Sequence, residues 1–158
     1  MMASLLPAFE WLQQTYLGET IRHSAALIAL LEIVHLIGLA LLIGTILMVD
    51  LSLLGLGIRG QPASRVAREL KLFTVLGLTI MLASGPLILC SEAVRCYKTP
   101  AFWVKMALLA IAIAFHFTIH RRVTLAEHAH ARLVAVLSLT LWFGVALAGK
   151  GIAIFQPA

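Results

Sequence analysis

Charge is scarce in this chain. Asp, Glu, Lys and Arg make up 12% of its 158 residues, while 61% are hydrophobic. A soluble domain is about a quarter charged, so the scarcity excludes an ordinary soluble fold. The formal charge of +5 does not rest on a basic patch. Lys and Arg fall between apolar runs, the placement of membrane-flanking charges, and nucleic-acid binding is excluded. No Lys or Arg precedes Arg22, so the charged segment of a cleavable signal is missing and insertion is expected to rely on the spans themselves. There is no Ser/His/Asp set, Gly-rich phosphate loop or paired-carboxylate site, which leaves hydrolase and nucleotidase readings without support. Cysteine is limited to Cys90 and Cys96. On one continuous helix they would stand ~9 Å apart along the axis, beyond disulfide reach. Two free or structural thiols are expected; a periplasmic bridge requires the helix to end near Ser91.

Long apolar runs fill the chain instead. A spanning helix needs roughly 20 mostly apolar residues, and four stretches supply them, at about 25–49, 72–91, 101–119 and 133–150. Backbone polar groups in lipid must be satisfied within their own segment. The predicted fold is therefore all-α, an integral membrane four-helix bundle, read as a single membrane domain over 1–158. Ahead of it, over about 4–17, Leu5, Leu6, Phe9, Leu12 and Tyr16 take one helical face, and Glu10, Gln13 and Gln14 the other. This pattern predicts a short N-terminal interfacial helix or a segment packed over the bundle's mouth.

The loops set an orientation. Arg59, Arg65, Arg68, Lys71, Arg121, Arg122 and Arg132 flank one side; Arg22, Arg95, Lys98, Lys150 and Lys105 belong to the other. The excess predicts the first group in the cytoplasm. Both termini then face outward, which in a bacterial inner membrane is the periplasm. Small residues four apart, Ala40/Gly44, Ala110/Ala114 and Gly144/Ala148, predict close helix contacts, and Ser84-Gly85-Pro86 a kink. The histidines His120, His128 and His130 are read as part of a solvated basic loop facing anionic lipid.

Ionisable groups at membrane depth are costly and mark candidate sites. Glu32 and His35 stand three apart in EIVHLIG and share a helix face. They form a buried polar pair that locks packing, or His35 ligates a haem iron or other metal while Glu32 or another acceptor orients its ring. Counting ~1.5 Å per residue from the outer ends, His35 and Met81 both lie ~15 Å deep, Lys105 ~6 Å and His116 ~22 Å. Depth alone does not choose a second ligand. Lys105 can equally snorkel to the interface, below a belt formed by Phe102 and Trp103.

VDLSLLGLG after the first span and SEAVRCYKTPAFWVKM before the third resemble an uncharacterised bacterial family of small four-helix inner-membrane proteins. More distantly, the chain resembles the haem-b-binding bacterial protoporphyrinogen oxidases and the membrane domain of copper-resistance protein D. Their pattern sets a His in the first core span and a Lys opening a later one, with another His further along it. EIVHLIG and FWVKMALLAIAIAFH match it with His35, Lys105 and His116. The resemblance implies His35 as haem b ligand, Lys105 as a second essential residue and His116 as a lesser member. The aliphatic LIGLALLIG replaces that family's aromatic-rich turn, so oxidase activity is not carried over.

Three functions follow as expectations. The first is a b-type haem redox protein with an electron-transfer or membrane-protein partner. The second is a cofactor-free assembly or transport module, acting as a homo-oligomer, in which Glu32 and His35 relay protons. The third is periplasmic copper handling, which has only His23, Met1 and Met2 on the outer side to draw on.

Overall fold

The computed structural model describes residues 5–57, 61–126 and 130–154. Met1, Met2, Arg59 and His128 lie outside them. The described residues contain helices and no strand. Helix α1 is Leu6–Gln13 and α2 is Tyr16–Arg22. The long helices are α3, Ala25–Leu53, and α4, Ala63–Ser91, followed by the short α5, Ala93–Lys98. Helix α6, Pro100–Phe115, passes through a π-helical turn, His116–His120, into α7, Arg121–Ala126; α8 is Ala131–Ile154. Four helical stretches are long and apolar enough to cross a membrane: Ala25–Leu53, Ala63–Ser91, Pro100–Ala126 and Ala131–Ile152.

Local chemistry sets the boundaries. Thr15 and Ser24 cap α2 and α3 by accepting from the N–H groups of Gly18 and Leu27, which satisfies otherwise orphaned donors. Helix α3 ends where Gly55 takes φ +82°, a conformation glycine adopts without steric penalty. Pro62 precedes α4 and Pro100 opens α6, positions where a missing N–H is harmless. Helix α4 continues past Pro86 to Ser91.

The expected amphipathic segment forms two helices, broken at Thr15, that pack across one end of the bundle. The Phe9 ring lies 5.1 Å from Tyr97 and 6.0 Å from Trp103, centroid to centroid. Gln13 Oε1 accepts from the Val94 N–H at 2.9 Å. Phe102 and Trp103, read as an interfacial belt, belong to this aromatic cluster that fastens α1 to α5 and α6. This end, which carries α5, is opposite the end that carries α7.

Helices α3 and α4 form one antiparallel pair and α6 and α8 another; the pairs meet chiefly through α3 and α8. The central core is Leu42, Ile46, Met81, Ala112, Trp142 and Val145. Along the α3–α4 seam His35 faces Ser84, Gly38 faces Ile80, Leu42 faces Gly77 and Thr45 faces Thr74. The closest approach is at Gly77, where an added Cβ would stand 2.7 Å from the Leu42 nitrogen and 2.9 Å from the Gly38 oxygen. Backbone atoms cannot rotate aside, so Gly77→Ala is expected to cost about 1–3 kcal/mol as an overpacking defect, read as a lower unfolding midpoint in detergent. Of the small-residue pairs read from the sequence, Gly144 does lie against Leu108 of α6, an added Cβ standing 3.4 Å from its Cδ1; the other two pairs do not mark close contacts. Ala40, Ala110 and Ala114 are exposed, and an added Cβ at Gly44 meets nothing within 4 Å. The close contact belongs to Gly38 and Gly77, which no spacing rule within one helix selects.

Candidate functional site

Two polar clusters lie within the spanning helices. The first is in the half nearer α5. His35 Nδ1 stands 2.8 Å from Ser84 Oγ, and the Ser84 hydroxyl lies 2.6 Å from the Ile80 carbonyl oxygen. A carbonyl only accepts, so the single hydroxyl proton of Ser84 goes to Ile80. The serine oxygen must then accept from His35 Nδ1–H. A neutral imidazole in this arrangement is the Nδ1–H tautomer, with a bare Nε2 lone pair. Lys105 is half-buried and near enough for its charge to act on His35. Its side chain runs beside Gly149 of α8, where an added Cβ would sit 3.6 Å from Nζ. At Gly85 of α4 an added Cβ would sit 3.6 Å from His35 Cε1.

The other expected members are elsewhere. Glu32 is exposed on α3, and the partner of His35 is Ser84 rather than Glu32. Met81, equal to His35 in counted depth, lies about one turn deeper than Ser84 and packs in the core. His116 lines a cavity with Ile46 and Val49. Ile46 is eleven residues beyond His35 on α3, about 16 Å along the axis, so His116 and His35 occupy different sites.

The second cluster, nearer α7, was not anticipated. Asp50 of α3 is 0% exposed and His120 is 2% exposed; Asp50 Oδ1 and His120 Nε2 lie 2.6 Å apart. His120 therefore does not belong to a solvated loop. The third span continues to Ala126, and the π turn, in which the Arg121 N–H reaches back to the His116 carbonyl, keeps His120 inside the bundle. His116 stacks on His120 with ring centroids 5.0 Å apart, and Trp142 of α8 lies 6.4 Å from His116. Ser138 of α8 is fully buried and stands near the Asp50 carboxyl. Asp50 Oδ2, Ser138 Oγ and His116 Nδ1 are buried without a hydrogen bond. π turns often accompany functional positions. An acidic residue in a 29-residue apolar helix was the available signal.

Cys90 and Cys96 are free thiols, both half-buried. Burial, and then the Glu92 carboxylate, pushes the Cys96 thiol above its ordinary range. Less thiolate is present at neutral pH, and thiolate is the reactive form. Maleimide labelling of Cys96 in a Cys90→Ser background is expected to be slower at pH 7 than that of a free thiol, and to rise with pH past 9. Equal rates at pH 7 would refute the shift. Among the described residues no three His, Cys, Asp or Glu side chains gather at metal-binding range.

Four long apolar helices with ionisable groups inside them define a multi-pass helical membrane protein. The chain matches the model of DUF6644, a family of unknown function, over residues 8–155, and it belongs to that family. No curated protein and no solved structure matches it.

Proposed function

We propose that the protein binds a b-type haem between its helices in the half nearer α5, where His35 would ligate the iron, and acts as a membrane redox protein. The observation that carries this reading is the Ile80–Ser84–His35 chain of hydrogen bonds. A metal-ligating histidine typically donates its second ring N–H to a fixed acceptor, which sets the tautomer and the ring plane. Here the fixed acceptor is a serine on the neighbouring helix. Gly85 and Gly149 let the backbones of α4 and α8 pass close to His35 and Lys105, and Lys105 offers a cation to the carboxylates that a haem carries. His35 would hold the iron and Lys105 would supply a counter-charge; His116 and Glu32 take no part in that site. Bound haem would supply one-electron chemistry, while the protein orients the ligand and tunes potential through axial ligation and surrounding polarity. The excess of basic residues at the α7 end supports placing that end in the cytoplasm of a bacterial inner membrane, with both termini periplasmic. An electron-transfer or membrane-protein partner, or a second copy of the chain, would complete the path.

The test is the visible spectrum of protein purified in detergent from cells supplied with haem precursor. A Soret band, with α and β bands that sharpen on dithionite reduction, is expected. A folded protein with no absorbance beyond the aromatic region rejects the reading.

A second reading is favoured by the second cluster. A cofactor-free module that relays protons needs a buried acid–base pair. The Asp50–His120 contact at 2.6 Å meets that requirement, which Glu32 and His35 do not.

A further inference from the structure

A cavity of about 290 Å³ opens beside the Asp50–His120 pair, toward the α7 end. Its chemistry is divided. Arg68 and Lys71 of α4 and Arg121 of α7 line it toward the α7 end, and Val75 and Phe117, one helical turn further in from Lys71 and Arg121, line it with Ile46. Among the described residues none of the three cations has an acidic partner: Glu69 pairs with Arg65 at 2.8 Å, and Asp50 is committed to His120. Val75 and Phe117 are 43% and 45% exposed on helices long and apolar enough to span, so the apolar part of the lining is open toward hydrocarbon in a bilayer. His116 Nδ1, buried and without a hydrogen bond, also belongs to the lining.

We propose that this cavity holds the headgroup and first methylenes of an anionic bilayer lipid. Cations converging at one end of an apolar crevice are complementary to an amphiphile: phosphate meets Arg68, Lys71 and Arg121, and the acyl chain leaves past Val75 and Phe117. Basic pockets between spanning helices recognise acidic headgroups in this way. A soluble anion would gain nothing from the apolar wall, and a neutral lipid nothing from the three uncompensated charges. The site is separate from His35 and does not depend on haem.

The test uses the full chain, delipidated in neutral detergent, with native mass spectrometry as the readout. The probes are dioleoyl phosphatidic acid, dioleoyl phosphatidylcholine and inorganic phosphate. One phosphatidic acid per chain is expected, at least tenfold tighter than phosphatidylcholine. Each cation near an anionic headgroup is worth about a fivefold change in binding. The Arg68→Ala/Lys71→Ala/Arg121→Ala protein should therefore bind about 100-fold more weakly. Val75→Trp fills the crevice at a half-exposed position and keeps every cation; it should weaken binding at least tenfold with the helical circular dichroism unchanged. Equal binding of the two lipids overturns the proposal. So does undiminished binding in Val75→Trp, which would mean attraction at the surface alone. Displacement by inorganic phosphate at concentrations equal to the lipid would make a free anion the ligand, and also overturns it. If the triple variant does not fold, Val75→Trp and the lipid comparison decide the matter.

Discussion

Asp50→Ala is expected to remove about 3–5 kcal/mol of stability, measured by denaturant unfolding in detergent, because it strands one partner of a buried pair. His120, 2% exposed, would lose the contact to Asp50 Oδ1 at 2.6 Å. His120→Ala should cost a similar amount, since Asp50 is 0% exposed. Ion pair or neutral acid and imidazole, the two groups together add no net charge to the interior, and either change alone breaks that balance. The double variant should cost less than the sum of the singles by about 1–3 kcal/mol, the coupling expected of residues in direct contact. Additive losses would mean that the contact contributes nothing beyond the space each side chain fills.

Asp50→Asn separates structure from proton transfer. The amide keeps the shape and one acceptor for the imidazole, so the loss should fall to about 1–3 kcal/mol, the scale of a single compromised buried hydrogen bond. The carboxyl that would carry a proton is gone. In liposomes, the relay reading expects proton flux in the natural protein and none in Asp50→Asn. Flux that persists in the variant leaves the pair a purely structural role. Its position supports either use. Asp50 ties α3 to the π turn between α6 and α7, while Ser138 of α8 stands beside the same carboxyl, so three of the four spanning segments converge on one side chain.

The spans were legible because their signal is additive: apolar runs of this length have few alternatives to crossing a bilayer. Their ends were not. Read as apolar runs, the first span ends at Val49 and the third at Ile119, one residue short of Asp50 and of His120 in turn. The helices continue to Leu53 and Ala126, so the most buried acid–base pair fell in what looked like loop. Facing was also hidden. These helices are apolar nearly all round, so periodicity does not say which side meets a neighbour. Gly44 and Ala40 consequently looked like a contact as good as Gly38, which in fact lies against α4. Glu32 and His35 share a helix face in the sequence, yet the partner of His35 comes from α4. In the sequence Ser84 stands out only as part of a kink-forming triplet. A hydrogen bond between residues 35 and 84 depends on the antiparallel register of two helices, and that register is set at Gly77, where backbone meets backbone.

His35→Ala is expected to abolish more than nine-tenths of the Soret absorbance of the purified protein, with helical circular dichroism retained. The imidazole is half-buried on the α3–α4 seam, so truncation opens space without stranding a charge, and the fold should survive. An unchanged spectrum removes His35 from the iron. Ser84→Ala is the more discriminating variant. It keeps the ligand but deletes the acceptor that holds Nδ1–H at 2.8 Å, so the ring is free to turn and to exchange tautomers. Loss of such an orienting partner typically weakens metal affinity 10–100-fold. Haem should therefore still bind Ser84→Ala, but should transfer to apomyoglobin far faster than from the natural protein. A merely structural serine would lower the unfolding midpoint and leave that transfer rate alone. Ser84→Thr retains a hydroxyl within reach of both His35 and the Ile80 carbonyl, and should restore slow transfer. If Thr restores stability but not haem retention, the hydrogen-bond chain serves the helix seam, and the case for His35 as ligand loses the observation on which it stands.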